Sequence, residues 1–181
     1  MYIWIGCKLP EEFEQEIRNH CLALNEKIGL DTVAFTLPQH ISLKISFAVE
    51  QPTLILEELS AFLGQQSAFA VRMKNPERAG NILWLPVEEN ECLKRLHEEL
   101  DIRLKAQFGV VQHPFDQAFL FHSTLFIDED VSKITRMEKM LANTSWEREV
   151  WVDTFLLGIS ETGKPGTYRV IKQIKAKQQF T

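Results

Sequence analysis

The chain has 181 residues, of which 45% are hydrophobic and 25% charged, and it contains 8 glycines and 7 prolines. This length and balance fit one globular domain and exclude a fibrous or largely disordered chain. The formal net charge of -5 excludes a broad basic surface for extended nucleic acid, but it leaves room for a local pocket that binds a small anion.

The cysteines and the amino-terminal apolar run indicate the cellular compartment. Cys7, Cys21 and Cys92 lack the close spacing of a zinc site or a redox pair, so we expect reduced thiols. The apolar run at 2–7 is too short for a signal peptide or a membrane span. We therefore expect a cytoplasmic protein without a membrane partner.

Strand and helix patterns alternate along the first part of the chain. Runs of aromatic and β-branched residues predict strands, and apolar residues at helical spacing predict helices. In chain order we expect a strand at 2–7, a helix that begins after Pro10, a strand at 40–49 and a helix at 54–63.

The second part continues the alternation. Turn-forming residues at 74–80 predict a hairpin or a short excursion between two strands. Leucines spaced along one face make the helix at 89–108 the most regular element. The predicted elements around and after it are strands at 69–73 and 82–87, a strand at 118–127, a helix at 131–142, strands at 150–160 and 168–175, and a turn at 161–167.

A short internal repeat links the two parts. The triplet Ile3-Trp4-Ile5 recurs as Leu83-Trp84-Leu85, and each triplet begins a strand-then-helix unit that leads to a histidine-containing strand. We therefore predict one domain over 1–181 with duplicated halves, about 1–80 and 81–181. A pseudo-twofold axis would then bring equivalent residues to a shared cleft.

The two histidine strands carry the same pattern, a histidine, any residue, a hydroxyl residue and leucine. His40 is followed by Ser42, and His122 is followed by Thr124. Residues two apart in a strand share a face, so each histidine has a hydroxyl beside it while the alternate residues face the core. Ser123 interrupts the alternation at one position.

Two imidazoles that flank one phosphorus atom suit general acid and base catalysis, because imidazole titrates near neutral pH. Ser42 and Thr124 would donate hydrogen bonds to nonbridging phosphate oxygens, and Lys44, on the His40 face, would add a cation. No carboxylate or cysteine stands at metal-ligand spacing beside the histidines, so we expect no metal and no other cofactor.

With both motifs and the repeat, the sequence resembles the two-histidine (2H) phosphoesterase superfamily, which includes the bacterial 2′-5′ RNA ligase-like cyclic phosphodiesterases. The resemblance implies an α+β fold of two pseudo-symmetric α/β lobes, each with an antiparallel sheet and outer helices, around a central cleft. It also implies catalytic roles for His40 and His122. Many members carry a basic residue shortly after the second motif, where this chain has Phe126 and Ile127.

Several other residues could have either a structural or a functional role. Phe126 and Tyr2 are candidate contacts for a nucleobase, with core packing as the alternative. His20 and His97 lie in predicted helices among charged residues, and we expect both to face solvent. We also expect solvated side chains in the loops and turns, at His113, Arg78 and Lys164.

The sequence thus predicts a metal-independent phosphodiesterase that hydrolyses 2′,3′-cyclic or 2′-5′ bonds of a small nucleotide or an RNA end. The same site would allow ligation in reverse. Two other classes stay open, a nucleotide-binding module without turnover and a structural domain with coincidental histidines. Which histidine is the acid and which the base is undetermined from sequence.

Overall fold

The computed structural model describes residues 1–177, which form a mixed α/β fold with four helices and antiparallel sheets. The helices are α1 (Glu11–Asn25), α2 (Pro52–Leu63), α3 (Glu91–Phe108) and α4 (Val131–Leu141). The strands are β1 (Tyr2–Lys8), β2 (His40–Ser42), β3 (Phe47–Ala48), β4 (Phe69–Met73), β5 (Glu77–Ala79), β6 (Ile82–Pro86), β7 (His122–Ile127), β8 (Arg148–Val152), β9 (Thr154–Ser160) and β10 (Arg169–Lys175). The predicted α+β class is confirmed.

The first sheet has five strands with β1 near its middle. Its order is β10-β9-β1-β2, and β3 also pairs with β1. All of these pairings are antiparallel. The strand β2 therefore lies at one edge of this sheet, with its histidine beside the end of β1.

A second sheet carries the other histidine strand. It has the order β5-β6-β7, so β7 lies at its edge. The strands β4 and β8 form a separate antiparallel pair, and an isolated bridge between Met73 and Val87 connects that pair to the segment after β6. Both histidine strands are thus edge strands of their own sheets.

The sheets do not follow the sequence halves at 1–80 and 81–181. The carboxyl-terminal strands β9 and β10 join β1 in the first sheet, while β4 and β5 pair with β8 and β6. Each sheet is therefore built from both halves of the chain. The sheet that contains β2 includes strands from the second half, and the sheet that contains β7 includes a strand from the first half.

The helix α3 shows why the sequence predicted it well. Asn90 caps its amino end by accepting hydrogen bonds from the amides of Cys92 and Leu93. Its carboxyl end is closed by Gly109, whose φ of 65° favours glycine. Leucines along its inner face are fully buried, so capping and periodicity agree.

Three predicted strands differ from the structure. The segment 40–49 breaks into β2 and β3, and the segment 150–160 divides at Asp153 into β8 and β9, which belong to different sheets. The strand predicted at 118–127 begins at His122, because 114–118 forms a 3₁₀ turn. Between β4 and β6 the structure has the short excursion rather than a direct hairpin, since β5 lies between them and pairs with β6.

A single set of buried side chains runs through the five-stranded sheet, the β4–β8 pair, the β5–β6–β7 sheet and all four helices. Cys7 and Cys21 belong to it, and burial raises the pKa of both thiols, that of Cys21 to about 12. None of the helices in residues 1–177 combines the length and hydropathy that crossing a bilayer requires.

Candidate active site

The strands β2 and β7 lie side by side and bring the two histidine motifs together. A buried hydrogen bond joins them, because Ser123 Oγ donates to Gln39 Oε1 at 2.8 Å. Ser123 is fully buried and Gln39 is 1% exposed. The sequence-predicted juxtaposition of His40 and His122 is therefore seen between two strand edges.

Each histidine is held by the carbonyl two residues before it. His40 Nδ1 contacts the Pro38 oxygen at 2.6 Å, and His122 Nδ1 contacts the Leu120 oxygen at 2.6 Å. A carbonyl only accepts, so Nδ1 carries the proton in both rings. In the neutral imidazole, Nε2 is then left as a lone-pair base on each side.

Burial makes both imidazoles weaker bases than usual. Burial, together with the charge of His122, lowers the pKa of His40 to about 4. Burial also lowers the pKa of His122. The two rings are thus within electrostatic reach of each other, and His40 holds its proton less firmly than an ordinary imidazole.

A tryptophan contacts each histidine ring. The Trp4 and His40 ring centroids are 4.3 Å apart in an edge-on arrangement, and those of Trp84 and His122 are 4.1 Å apart and tilted. The triplets that contain these tryptophans are not structurally equivalent, however. Strand register pairs Gly6 with Ser42 but Trp84 with Thr124, so the indoles arrive from positions two residues apart.

The two indole nitrogens have different partners as a result. Trp4 Nε1 donates to Ser42 Oγ at 3.2 Å. Trp84 Nε1 instead donates to Glu77 Oε1 at 3.2 Å. Ser42 and Thr124 are both half-buried on the same strand face as their histidines, as the period of two predicts.

Lys44 does not offer a free cation to the site, which corrects the expectation from sequence. Its side chain is 2% exposed and pairs with Asp101 and with Asp116 Oδ2, the latter at 2.7 Å. Burial by itself would raise the Asp116 pKa, but hydrogen bonds from Lys44 and the Ile45 amide lower it. The chain bends inward at 43–46 to make these bonds, which ends β2.

His97 is buried, contrary to the expected solvent-facing role. It belongs to the inner face of α3 with 6% exposure. Its Nδ1 contacts the Leu43 oxygen at 2.7 Å and its Nε2 contacts the Asp116 oxygen at 2.9 Å. Through these two contacts, His97 connects α3 to the segment after β2 and to the 3₁₀ turn before β7.

The two candidate base contacts lie elsewhere. Phe126 is fully buried and packs edge-on against Phe35, with ring centroids 5.3 Å apart. It lies in the core because the register between β6 and β7 shifts next to it, which interrupts the alternation of faces. Tyr2 is six residues along β1 from Lys8, the partner of His40, which is about 20 Å at the usual strand rise. Neither ring reaches the histidines.

An open cavity of about 890 Å³ adjoins the second histidine. His122 and Trp84 are among the residues that line it, and the exposed side chains of Ile102 and Leu120 contribute apolar surface. Trp84 was missed by sequence reasoning as a wall of the site. The repeated triplet had already singled out Trp84, and its strand β6 pairs with β7, the strand that carries His122.

The remaining polar candidates stand outside this arrangement. His20, His113, Arg78 and Lys164 are exposed, as expected. His113 caps the 3₁₀ turn by accepting a hydrogen bond from the Phe115 amide at 3.2 Å. Residues 1–177 contain no group of three or more histidine, cysteine or acidic side chains arranged to hold a metal ion.

The family model of the 2′-5′ RNA ligase superfamily matches residues 11–164. The chain therefore belongs to this superfamily, which confirms the resemblance to two-histidine phosphoesterases. The match covers α1 to the turn before β10 and includes both motifs. No curated protein matches the sequence significantly.

Solved structures share the fold over nearly the whole chain. TT0787 of Thermus thermophilus has 19% sequence identity and a TM-score of 0.69, with 97% of each chain covered. LigT of E. coli complexed with 3′-AMP has 18% identity and a TM-score of 0.61, covering 97% of this chain and 98% of that one. LigT complexed with ATP has 16% identity and a TM-score of 0.60, with 98% of each covered.

Proposed function

We propose that this protein is a metal-independent phosphodiesterase that opens 2′,3′-cyclic or 2′-5′ phosphodiester bonds of a nucleotide or RNA end. The observation that carries the proposal is the matched pair of imidazoles, each with Nδ1 bound to a backbone carbonyl and Nε2 left for chemistry. Membership of the superfamily and the structures of LigT with 3′-AMP and ATP agree with it.

We assign His40 as the general base and His122 as the general acid. His40 has a pKa lowered to about 4, so it is neutral at working pH and accepts a proton from the attacking water. The water oxygen bonds to phosphorus, the bond from phosphorus to the leaving ribose oxygen breaks, and His122 protonates that oxygen. Exchange with solvent resets both rings, and the reverse sequence joins ends.

The hydroxyls would bind the phosphate oxygens of the substrate, and the cavity would bind its nucleobase. Ser42 and Thr124 donate hydrogen bonds to the nonbridging oxygens, whose negative charge grows during attack. Trp84 supplies a stacking surface at the edge of the cavity beside His122, in place of Phe126. With Lys44 already paired, these neutral donors take the role that a basic residue would play.

The test is turnover of 2′,3′-cyclic nucleotides and 2′-5′ dinucleotides in the presence of a chelator. His40→Ala and His122→Ala should each lower kcat by about 10²-fold or more, the usual range for loss of a general acid or base. His20→Ala, at an exposed histidine, is the matched control. Full activity in either motif variant, or loss of wild-type turnover with chelator, would contradict the proposal.

A nucleotide-binding module without turnover is the second candidate, favoured by the depressed pKa values of both imidazoles. A pair that is neutral at pH 7 lacks a ready acid until a phosphate binds. Such a module would bind 2′,3′-cyclic nucleotide and return it unchanged. Chromatography of the bound nucleotide after incubation separates the two functions.

A further inference from the structure

Ser42 is not a free hydroxyl, because an indole already bonds to it. Trp4 Nε1 lies 3.2 Å from Ser42 Oγ. A tryptophan nitrogen only donates, whereas a serine hydroxyl has one proton and two lone pairs. Ser42 therefore accepts from Trp4, and its own proton stays available. Among residues 1–177, Trp4 is the one side-chain partner of this oxygen.

The indole reaches Ser42 through a slot between two glycines on the cleft face of the first sheet. A Cβ added at Gly6 would lie 2.7 Å from Trp4 Cζ2, and one added at Gly158 would lie 2.6 Å from Trp4 Cε3. Both distances are too short for a real contact. The glycines thus provide space for a flat ring, which is 6% exposed.

The same ring also contacts the histidine of this motif. The Trp4 and His40 centroids are 4.3 Å apart, so one side chain touches both the hydroxyl and the imidazole. No matching arrangement serves Thr124, because Trp84 donates to Glu77. The contact is therefore a feature of one motif and does not follow from the duplication.

We propose that Trp4 is a positioning residue that holds the Ser42 hydroxyl with its proton directed to a nonbridging oxygen of the substrate phosphate. The hydrogen bond that the indole donates to Ser42 Oγ fixes the orientation of the hydroxyl and polarises its O–H bond, which strengthens the hydrogen bond that Ser42 donates. Trp4 itself does not contact the substrate. This inference rests on the proposed phosphodiesterase function.

Kinetics on a 2′,3′-cyclic mononucleotide test it through a double-mutant cycle. Trp4→Phe keeps an aromatic ring but removes the donor, and it should lower kcat about five- to tenfold with KM little changed, the equivalent of one neutral hydrogen bond. In a Ser42→Ala background the same change should have no further effect. Trp151→Phe, at an exposed tryptophan, is the control that leaves kcat unchanged.

Two results would overturn the proposal. An equal loss from Trp4→Phe in the Ser42→Ala background would show that the indole acts without Ser42. A shift of the acidic limb of the pH profile in Trp4→Phe, with the kcat maximum unchanged, would show that it acts on His40 alone.

A spectroscopic readout separates this inference from the proposed function. The chain has 4 tryptophans, so a ¹H–¹⁵N correlation NMR spectrum should show four indole N–H signals. The signal lost in Trp4→Phe should move in Ser42→Ala and on addition of inorganic phosphate. If it moves in neither case, the hydrogen bond has no role. If it moves while wild type lacks turnover, the positioning stands and the phosphodiesterase proposal fails.

Discussion

Ser123 Oγ donates a 2.8 Å hydrogen bond to Gln39 Oε1 across the junction of β2 and β7. Gln39 directly precedes His40, and Ser123 directly follows His122. The bond therefore fixes the spacing of the two motif strands from inside the protein, on the side away from the cleft. We expect the bond to act on the proposed reaction through the backbone that carries the histidines.

Ser123→Ala should lower the free energy of unfolding by about 1–3 kcal/mol, because a buried amide oxygen loses its donor. It should also lower kcat, since small shifts between acid and base are costly. Urea unfolding and steady-state kinetics measure the two effects. Ser145→Ala, at an exposed serine, is the control, and equal behaviour of both variants would contradict the role of this bond.

The pH dependence follows from the lowered pKa values of the histidines. The profile of kcat/KM should rise as His40 loses its proton near pH 4 and fall as His122 loses its proton at a pH below 6.5. Its maximum therefore lies on the acid side of neutrality. The maximum of kcat should lie higher, because a bound phosphate raises the pKa of His122. A kcat/KM that still rises above pH 7 would contradict the lowered pKa values of both histidines.

Lys44→Met should destabilise the protein rather than weaken phosphate binding. It leaves the carboxylates of Asp101 and Asp116 without their shared cation in a buried place, which costs about 3–5 kcal/mol. Lys175→Met, which breaks an exposed pair with Asp153, should cost under about 1 kcal/mol. Chemical denaturation compares them. If the Lys44→Met protein were stable and had a raised KM, Lys44 would have to be assigned to phosphate binding after all.

Trp84→Ala should raise KM for a cyclic mononucleotide by about tenfold, as the loss of one stacked base predicts. We also expect a smaller fall in kcat, since Trp84 contacts the His122 ring. Phe126→Leu is the matched variant at a buried aromatic. It should reduce stability and leave KM unchanged, and the opposite pattern would place the base at Phe126.

The pairing of each histidine with a hydroxyl was predictable from the sequence, because a strand period of two places His40 with Ser42 and His122 with Thr124 whatever the surrounding fold. The same rule misplaced Lys44. Strand β2 ends at Ser42, and the next residues turn inward so that Lys44 meets two carboxylates that lie 57 and 72 residues further along the chain. Side chains alternate between faces only within a strand, and the sequence around Lys44 does not indicate that β2 ends at Ser42.

Long-range pairing also accounts for the errors at His97 and Phe126. His97 lies among charged residues in sequence, yet its partners are carbonyls of Leu43 and Asp116. Phe126 occupies a position that would face the cleft in a regular strand, but the register between β6 and β7 shifts next to it. A bulge of this kind changes which face a side chain occupies.

The two-residue offset between the tryptophans has a directional consequence. A cleft with strict twofold symmetry would accept a phosphodiester equally well in either sense, and half of the encounters would present the leaving oxygen to the base. Here the His40 side meets a closed indole that bonds to Ser42, and the His122 side meets an indole at the edge of an open cavity. If the proposed reaction takes place here, we expect the unequal walls to give the substrate one preferred polarity, so that the proposed acid and base would not be interchangeable.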